Sequence, residues 1–265
     1  MNLKGILLFD IDGVIRDVTS SYRLAIQETV KYFTAWNPSI ESIDELKSEG
    51  CWNNDWDATL ELIKRFKGKT TKFAEIPNKN LIIKTFSNFY FGGDPEGDPM
   101  QWKGFIKNEP LLVNKNLFNS LEKFGIKWGF ISGAEPPSAR FVLQKRLGLT
   151  NAPLIAMGEA PEKPNPKGLL HLAKKIKGSS LGQKIPWVAY LGDTVADVLT
   201  IQNAKRKIPS QSFLSIAIAP PHLHKKTAQD MRIKYEQSLK KAGADLIIQN
   251  TNEILNQLSY HSHIK

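Results

Sequence analysis

Three short runs of the chain are apolar almost throughout and stop at an acidic or hydroxyl residue: Lys4–Asp10, Ile126–Ser132, and Pro186–Gly192 with Asp193 directly after it. A fourth, Phe213–Ile218, is built the same way without the polar stop. Runs this short and this uniformly apolar suit strands buried on both faces, as in a parallel sheet covered by helices. Weaker candidates lie at Leu154–Met157 and Asp245–Ile248. Between the runs, apolar residues recur at helical spacing: Leu117, Leu121 and Phe124; Phe141, Leu143 and Leu147; then Leu169 to Ile176, Val195 to Ala204, and Ile254 to Leu258. Strand alternating with helix predicts βαβ units and an α/β fold around a parallel sheet.

One stretch breaks the rhythm. From Val18 to Lys107 the patterns are helical only, at 20–36, 41–48, 55–67 and 79–91, before the turn-rich Gly92-Gly-Asp-Pro-Glu-Gly-Asp-Pro99. The reading is an all-helical domain at 18–107 inserted in a core made of 1–17 and 108–265, and a length of 265 residues agrees with one interrupted core. Charge divides along the same line. Of 36 Lys and Arg and 26 Asp and Glu, 12 of each sign fall in the insertion, so the whole net charge of +10 belongs to the core.

A balance that basic points to anionic partners: nucleic acid, a membrane surface or phosphorylated metabolites. Lys205-Arg206-Lys207, Lys225-Lys226 and Lys240-Lys241 lack interleaved aromatics, so no specific nucleic acid is expected. No run approaches the ~18 apolar residues of a membrane span, and Ile6 to Phe9 is too short for a secretory signal. Cys51, the single cysteine, cannot close an internal disulfide. A cytoplasmic location without a membrane partner is the expectation. Whether the protein is a monomer or a homodimer stays open.

The polar residues at the strand ends carry the chemistry. In an open parallel sheet the carboxyl ends of the strands form the ligand crevice, so Asp10, Asp12, Ser132, Asp193 and Asp197 should converge. In Asp10-Ile-Asp12-Gly-Val14 an extended backbone points both carboxylates to one side, and Gly13 permits an abrupt turn. Two like charges so close call for a cation or for acid/base use. In Gly192-Asp193-Thr-Val-Ala-Asp197 a helical spacing of four places both carboxylates on one face. Oxygen-only ligands favour a hard cation, Mg²⁺, and the absence of a Cys/His cluster disfavours zinc. Lys163 precedes a stiff Pro-Asn-Pro turn that would hold its ammonium, and Ser132-Gly133 offers a hydroxyl and backbone N–H groups to a phosphate oxygen. Together these make a complete phosphoryl-transfer set.

Taken in order, Asp10-Ile-Asp12-Gly-Val, Ser132-Gly133, Lys163-Pro-Asn-Pro and Gly192-Asp193-Thr-Val-Ala-Asp197 resemble the four motifs of the haloacid dehalogenase-like (HAD) superfamily, over about 1–17 and 108–250. The insertion looks like that family's helical cap. Only 30 residues separate Gly133 from Lys163, too few for a cap there, so the resemblance is to subfamily I of IA type. It implies a Rossmann-like core with an inserted helical cap and a Mg²⁺-dependent phosphatase acting on a small phosphorylated metabolite. By the same resemblance, Asp10 would attack phosphorus, and Asp12 would protonate the leaving oxygen and then activate water. Ser132, Gly133 and Lys163 would hold the phosphoryl group. Asp10, the Asp12 carbonyl and Asp193 would ligate Mg²⁺, with Asp197 acting through its waters or through Lys163. Dehalogenases and phosphonate-cleaving members are not expected to keep Asp12. A β-phosphoglucomutase-type sugar phosphomutase would keep every motif and is the alternative within the fold; a basic non-catalytic phosphate or nucleic-acid binder is the alternative outside it.

Other features stay two-sided. In Cys51-Trp52-Asn53-Asn54-Asp55-Trp56-Asp57, Asn54 or Asp55 reads either as an N-cap or as part of a substrate loop, with Asn53 and Asn54 bonding substrate hydroxyls. Arg16 and Arg140 read as surface salt bridges or as substrate contacts. His222, His224, His261 and His263 lack the further ligands a metal site needs.

Overall fold

The computed structural model describes residues 3–49, 52, 54–70 and 75–261. All six anticipated strands form: β1 (Gly5–Phe9), β2 (Ile126–Ile131), β3 (Leu154–Ile155), β4 (Trp187–Gly192), β5 (Phe213–Ile218) and β6 (Leu246–Ile248). They pair only in parallel, in the order β3-β2-β1-β4-β5-β6. From β1 the chain builds outward to β2 and β3, then crosses back to lay down β4, β5 and β6 on the other side. The reversal lies between β1 and β4, and the carboxyl ends of those two strands flank a crevice.

The chain divides into two compact units, 1–17 with 110–265 and 18–109. The inserted unit is helical: α1 (Thr19–Thr34), α2 (Ile40–Ser48), α3 (Asp55–Thr70) and α4 (Lys79–Phe91). Its helices are bounded by the expected chemistry. The Asn78 side chain accepts from the Leu81 N–H, and Gly92 closes α4 at φ 65°, donating to the Asn88 carbonyl. Its interior is aromatic: Tyr22 stacks on Tyr90 at 4.9 Å and on Phe86 at 6.3 Å, and Trp36 lies flat on Phe66 at 5.0 Å. The buried Glu109 side chain accepts through Oε1 from the Ser21 hydroxyl at 2.6 Å and the Tyr90 hydroxyl at 3.1 Å, which offsets part of the cost of its burial.

In the core unit, β1 is buried at every residue, and alternation sends its side chains to opposite faces. Leu7 and Phe9 join Phe118, Phe130, Val142 and Ile254. That face is covered by α5 (Lys115–Lys123), by α6 (Pro136–Arg140, running on as a π-helical segment Phe141–Arg146) and by α10 (Ile254–His261). Ile6 and Leu8 join Leu169, Leu172, Tyr190 and Ile201 on the other face, beneath α7 (Lys167–Lys177) and α8 (Val195–Lys207). Sequence patterning overlooked α9 (Gln229–Ala242), the crossover helix between β5 and β6. Only Leu239 of α9 is buried, with Tyr235 and Ala242 packing at the edge, so its apolar stripe is too thin to read. Among the described residues no helix is long and apolar enough to cross a membrane.

Candidate active site

The register brings Phe9, Phe130 and Leu191 side by side, so β1, β2 and β4 release their next residues on one edge of the sheet. Asp10 follows β1 and keeps the ladder for one more bond, its N–H donating to the Leu191 carbonyl at 2.8 Å. Ser132 follows β2 and Asp193 follows β4; Asp197 lies in the first turn of α8. Lys163 comes from the loop before α7 and joins them. Its ammonium donates to Asp10 Oδ2 at 2.9 Å, to Asp197 Oδ1 at 2.6 Å and to the Tyr190 hydroxyl at 3.3 Å. Three N–H groups meet three acceptors.

Asp197 is held from both sides. Its Oδ1 takes Lys163 and lies 3.0 Å from the Tyr190 hydroxyl, while its Oδ2 accepts from the Thr194 N–H at 2.9 Å and the Thr194 hydroxyl at 2.6 Å. Thr194 and Asp197 thereby form the capping box that starts α8. Burial alone would raise the Asp197 carboxyl, but Lys163 and the Thr194 bonds outweigh it and hold the carboxyl below its ordinary range. Burial likewise works against the Lys163 ammonium, and the facing Asp10 and Asp197 carboxylates raise it well above the usual lysine range.

The other two carboxyls move the opposite way. Burial pushes Asp10 up to about 6 against the pull of Lys163, with Asp197 and Asp12 adding to the rise. Burial, then Asp197 and Asp10, push Asp193 well above its ordinary range. Asp10, Asp193 and Asp197 bring carboxylate oxygens within 4.8 Å of one another. With all three ionised, the single ammonium of Lys163 would leave two negative charges uncompensated, and that deficit joins burial in raising Asp10 and Asp193. An oxygen-only donor set with that deficit fits a hard divalent cation such as Mg²⁺.

Two glycines make room for this cluster. A Cβ on Gly13, at φ +76°, would lie 2.0 Å from Asp193 Oδ2, and a Cβ on Gly192 would lie 2.3 Å from the Asp197 Cβ. Gly192 has ordinary backbone angles, so only space is at stake there. Gly192→Ala is expected to lower stability by about 1–3 kcal/mol, the usual cost of overpacking. Thermal unfolding of the two proteins checks this, and an unchanged midpoint would show that Asp197 can move aside.

The remaining sequence-derived candidates separate. Ser132 is buried, its hydroxyl accepting from the Ala134 N–H at 3.2 Å, and Gly133 is exposed beside it. Asp12 is partly buried and paired with Arg16, whose Nε donates to Asp12 Oδ1 at 2.7 Å. Arg16 is fully buried and so forms no surface salt bridge; a buried guanidinium must find a carboxylate, and Asp12 supplies it. Arg140 faces Glu159 at 3.7 Å on the surface. Asn54 caps α3, its Oδ1 accepting from the Trp56 N–H at 3.0 Å and the Asp57 N–H at 3.2 Å. Asn53 and Cys51 lie outside the described residues.

Sequence reasoning passed over three residues that shape the cluster. Tyr190 bonds Lys163 and also lies 2.9 Å from the Ile131 carbonyl, Thr194 holds Asp197, and the Tyr235 hydroxyl on α9 donates to the Asp193 carbonyl at 2.9 Å. Two signals were present: a tyrosine inside the otherwise aliphatic run Val188-Ala-Tyr-Leu191, and the Thr-x-x-Asp spacing of a capping box at Thr194 and Asp197.

Known proteins share this arrangement of elements. Among solved structures, the chain resembles phosphatase Tt82 from Thermococcus thioreducens, with a TM-score of 0.59 and 22% identity over 89% of this chain and 99% of that one. It also resembles a phosphonoacetaldehyde hydrolase-like protein from Oleispira antarctica, with a TM-score of 0.64 and 17% identity over 98% and 92%. A Thermotoga maritima protein provisionally described as a β-phosphoglucomutase gives 0.63 and 15% over 97% and 99%. These likenesses concern the fold. Among curated sequences, an imidazoleglycerol-phosphate dehydratase from Phytophthora nicotianae is 30% identical over 200 residues, 75% of this chain and 41% of that protein. The chain thus spans about two fifths of that relative's length. The sequence pattern of the haloacid dehalogenase-like hydrolases matches residues 5–205, a span that contains every strand-end carboxylate described above, and the chain belongs to that family.

Proposed function

We propose that the protein is a Mg²⁺-dependent phosphomonoesterase acting on a small phosphorylated metabolite through an aspartyl-phosphate on Asp10. The observation that carries this reading is the buried Asp10–Lys163–Asp197 chain of charge-assisted bonds at the carboxyl edge of the sheet, with Asp193 beside it. Asp10 attacks phosphorus, forming an Oδ–P bond as the bond from phosphorus to the ester oxygen breaks. Asp12 gives its proton to the departing oxygen. It then takes a proton from the water that attacks the aspartyl-phosphate, which restores Asp10 and releases inorganic phosphate. Lys163 and the Ser132 hydroxyl, with N–H groups at Gly133, hold the phosphoryl oxygens; Lys163 also offsets charge on Asp10. Asp10, Asp193 and the Asp12 carbonyl would hold Mg²⁺. Asp197 acts through Lys163, because both of its oxygens are committed to protein donors. When bound, the cation supplies positive charge against the phosphoryl oxygens.

The helical insertion is where leaving-group selection belongs in this reading. The chain's net charge of +10, which lies in the core, suits anionic substrates. The curated relative is named for a phosphate ester that carries an imidazole, so such esters belong in the substrate panel beside sugar phosphates and phosphoglycolate.

Purified protein with Mg²⁺ is expected to release inorganic phosphate from at least one member of that panel, and chelation of the cation to stop it. No release from any member would remove the reading. Isomerised sugar phosphate with little free phosphate would identify a phosphomutase instead.

A further inference from the structure

We propose that Arg16 is the positioning residue of Asp12 and takes no part in holding substrate. The role given to Asp12 rests on the phosphatase reading above; the pairing itself does not.

Arg16 is 0% exposed, so no substrate can reach its guanidinium. Nε donates to Asp12 Oδ1 at 2.7 Å and Nη2 donates to the Ser138 hydroxyl at 2.8 Å. The Asp12 side chain stays 24% exposed. The guanidinium therefore grips the carboxylate from its inner side and leaves part of it open. Ser138 lies in α6, just beyond the Ser132-Gly133 turn, so Arg16 ties the loop after β1 to the helix that follows β2. Its own backbone is fixed as well: the Arg16 carbonyl accepts from the Gly13 N–H at 2.9 Å, and Arg16 bridges to Leu111. An arginine whose buried guanidinium is bonded at both Nε and Nη2, and whose main chain is bonded as well, is a rigid support. A general acid must keep its proton aligned with the departing oxygen, and misplacement costs rate rather than binding.

A positioning role has a signature that neither a substrate ligand nor a merely structural residue would leave. Protonation of the leaving oxygen matters most for alkyl phosphates, whose alkoxides are strongly basic, and least for aryl phosphates such as p-nitrophenyl phosphate. kcat/KM covers the step in which that oxygen departs. Arg16→Met is expected to lower kcat/KM for an alkyl phosphate at least about 10-fold more than for p-nitrophenyl phosphate, with Asp12→Asn showing the same bias. The double variant Asp12→Asn/Arg16→Met is expected to be no slower than Asp12→Asn alone, because Arg16 acts through Asp12. Equal losses on both substrates with a raised KM, or losses that multiply in the double variant, would overturn the proposal.

A second measurement needs no activity. Asp12→Asn takes from a buried guanidinium the carboxylate that accepts from its Nε, so the unfolding midpoint should fall, and adding Arg16→Met should recover part of the loss. A double variant that melts below both single ones would overturn the pairing. If Arg16→Met does not fold, Arg16→Lys, which keeps the charge and loses the fork, should show the same substrate bias at smaller size. Absence of phosphate release by the wild type would remove the phosphatase reading and leave the melting result to judge the pair.

Discussion

Asp10→Asn is expected to abolish phosphate release, with kcat reduced about 10⁴-fold or more, because an amide oxygen cannot take the place of the attacking carboxylate. The fold should survive. Asparagine has the same shape, and its Oδ1 can still accept from the Ile11 N–H, as Asp10 Oδ1 does at 2.8 Å. The exchange also removes one of three crowded negative charges, at a carboxyl that burial already pushes up to about 6. The unfolding midpoint is therefore expected to hold or rise. Phosphate release at saturating substrate measures the first effect. Acid quenching with a labelled phosphomonoester measures its cause, since label should stay on the wild-type protein and be absent from the variant. Wild-type turnover by Asp10→Asn would show that another group attacks phosphorus.

Lys163→Met should cost both activity and stability. Removing one preorganised donor from a reacting oxygen usually costs about 10²–10³-fold in kcat, and this lysine also balances the nucleophile. Its side chain is 18% exposed and serves carboxylates that are 7% and 1% exposed. Breaking such a pair costs about 3–5 kcal/mol, a large part of a domain's total of roughly 5–15 kcal/mol. Proton uptake by Asp10, whose pKa would rise further without Lys163, relieves some of this. The loss should accordingly be greatest at neutral and higher pH and shrink in mild acid. Lys163→Arg is not expected to restore function. The ammonium reaches Asp10, Asp197 and Tyr190 with three hydrogens in different directions, which a planar guanidinium cannot match. Denaturant melts at two pH values, followed by kinetics on whatever remains folded, test both halves. A fully stable, active Lys163→Met would show that the charge cluster is balanced elsewhere.

The parallel sheet could be read from the chain because a strand covered on both faces must be apolar along its length. Polar residues inside such strands are few, as Tyr190 in β4 and Ser215 in β5, and they gather where a strand ends, so Asp10, Ser132 and Asp193 mark the strand ends and the chemistry together. The helical insertion was visible for a related reason: its helices each carry an apolar stripe wide enough to show helical spacing. Helix α9 lacks that stripe, since Leu239 is its one buried residue, so only the parallel pairing of β5 and β6 requires it.

The sequence by itself thus determined the fold class, the order of the strands and of every helix of the core between them except α9, and the set of carboxylates, lysine and hydroxyl that share one sheet edge. Tertiary structure alone decided how they pair. Arg16 lies four residues from Asp12 and 122 from Ser138, and Lys163 lies 153 from Asp10 and 27 from Tyr190. Nothing in a linear pattern distinguishes a buried arginine from a surface one, or shows that Asp197 spends an oxygen on Tyr190 and Lys163. Hydrogen bonds and charge compensation depend on distance and direction in space, and these are fixed only when strands far apart in sequence are brought into register.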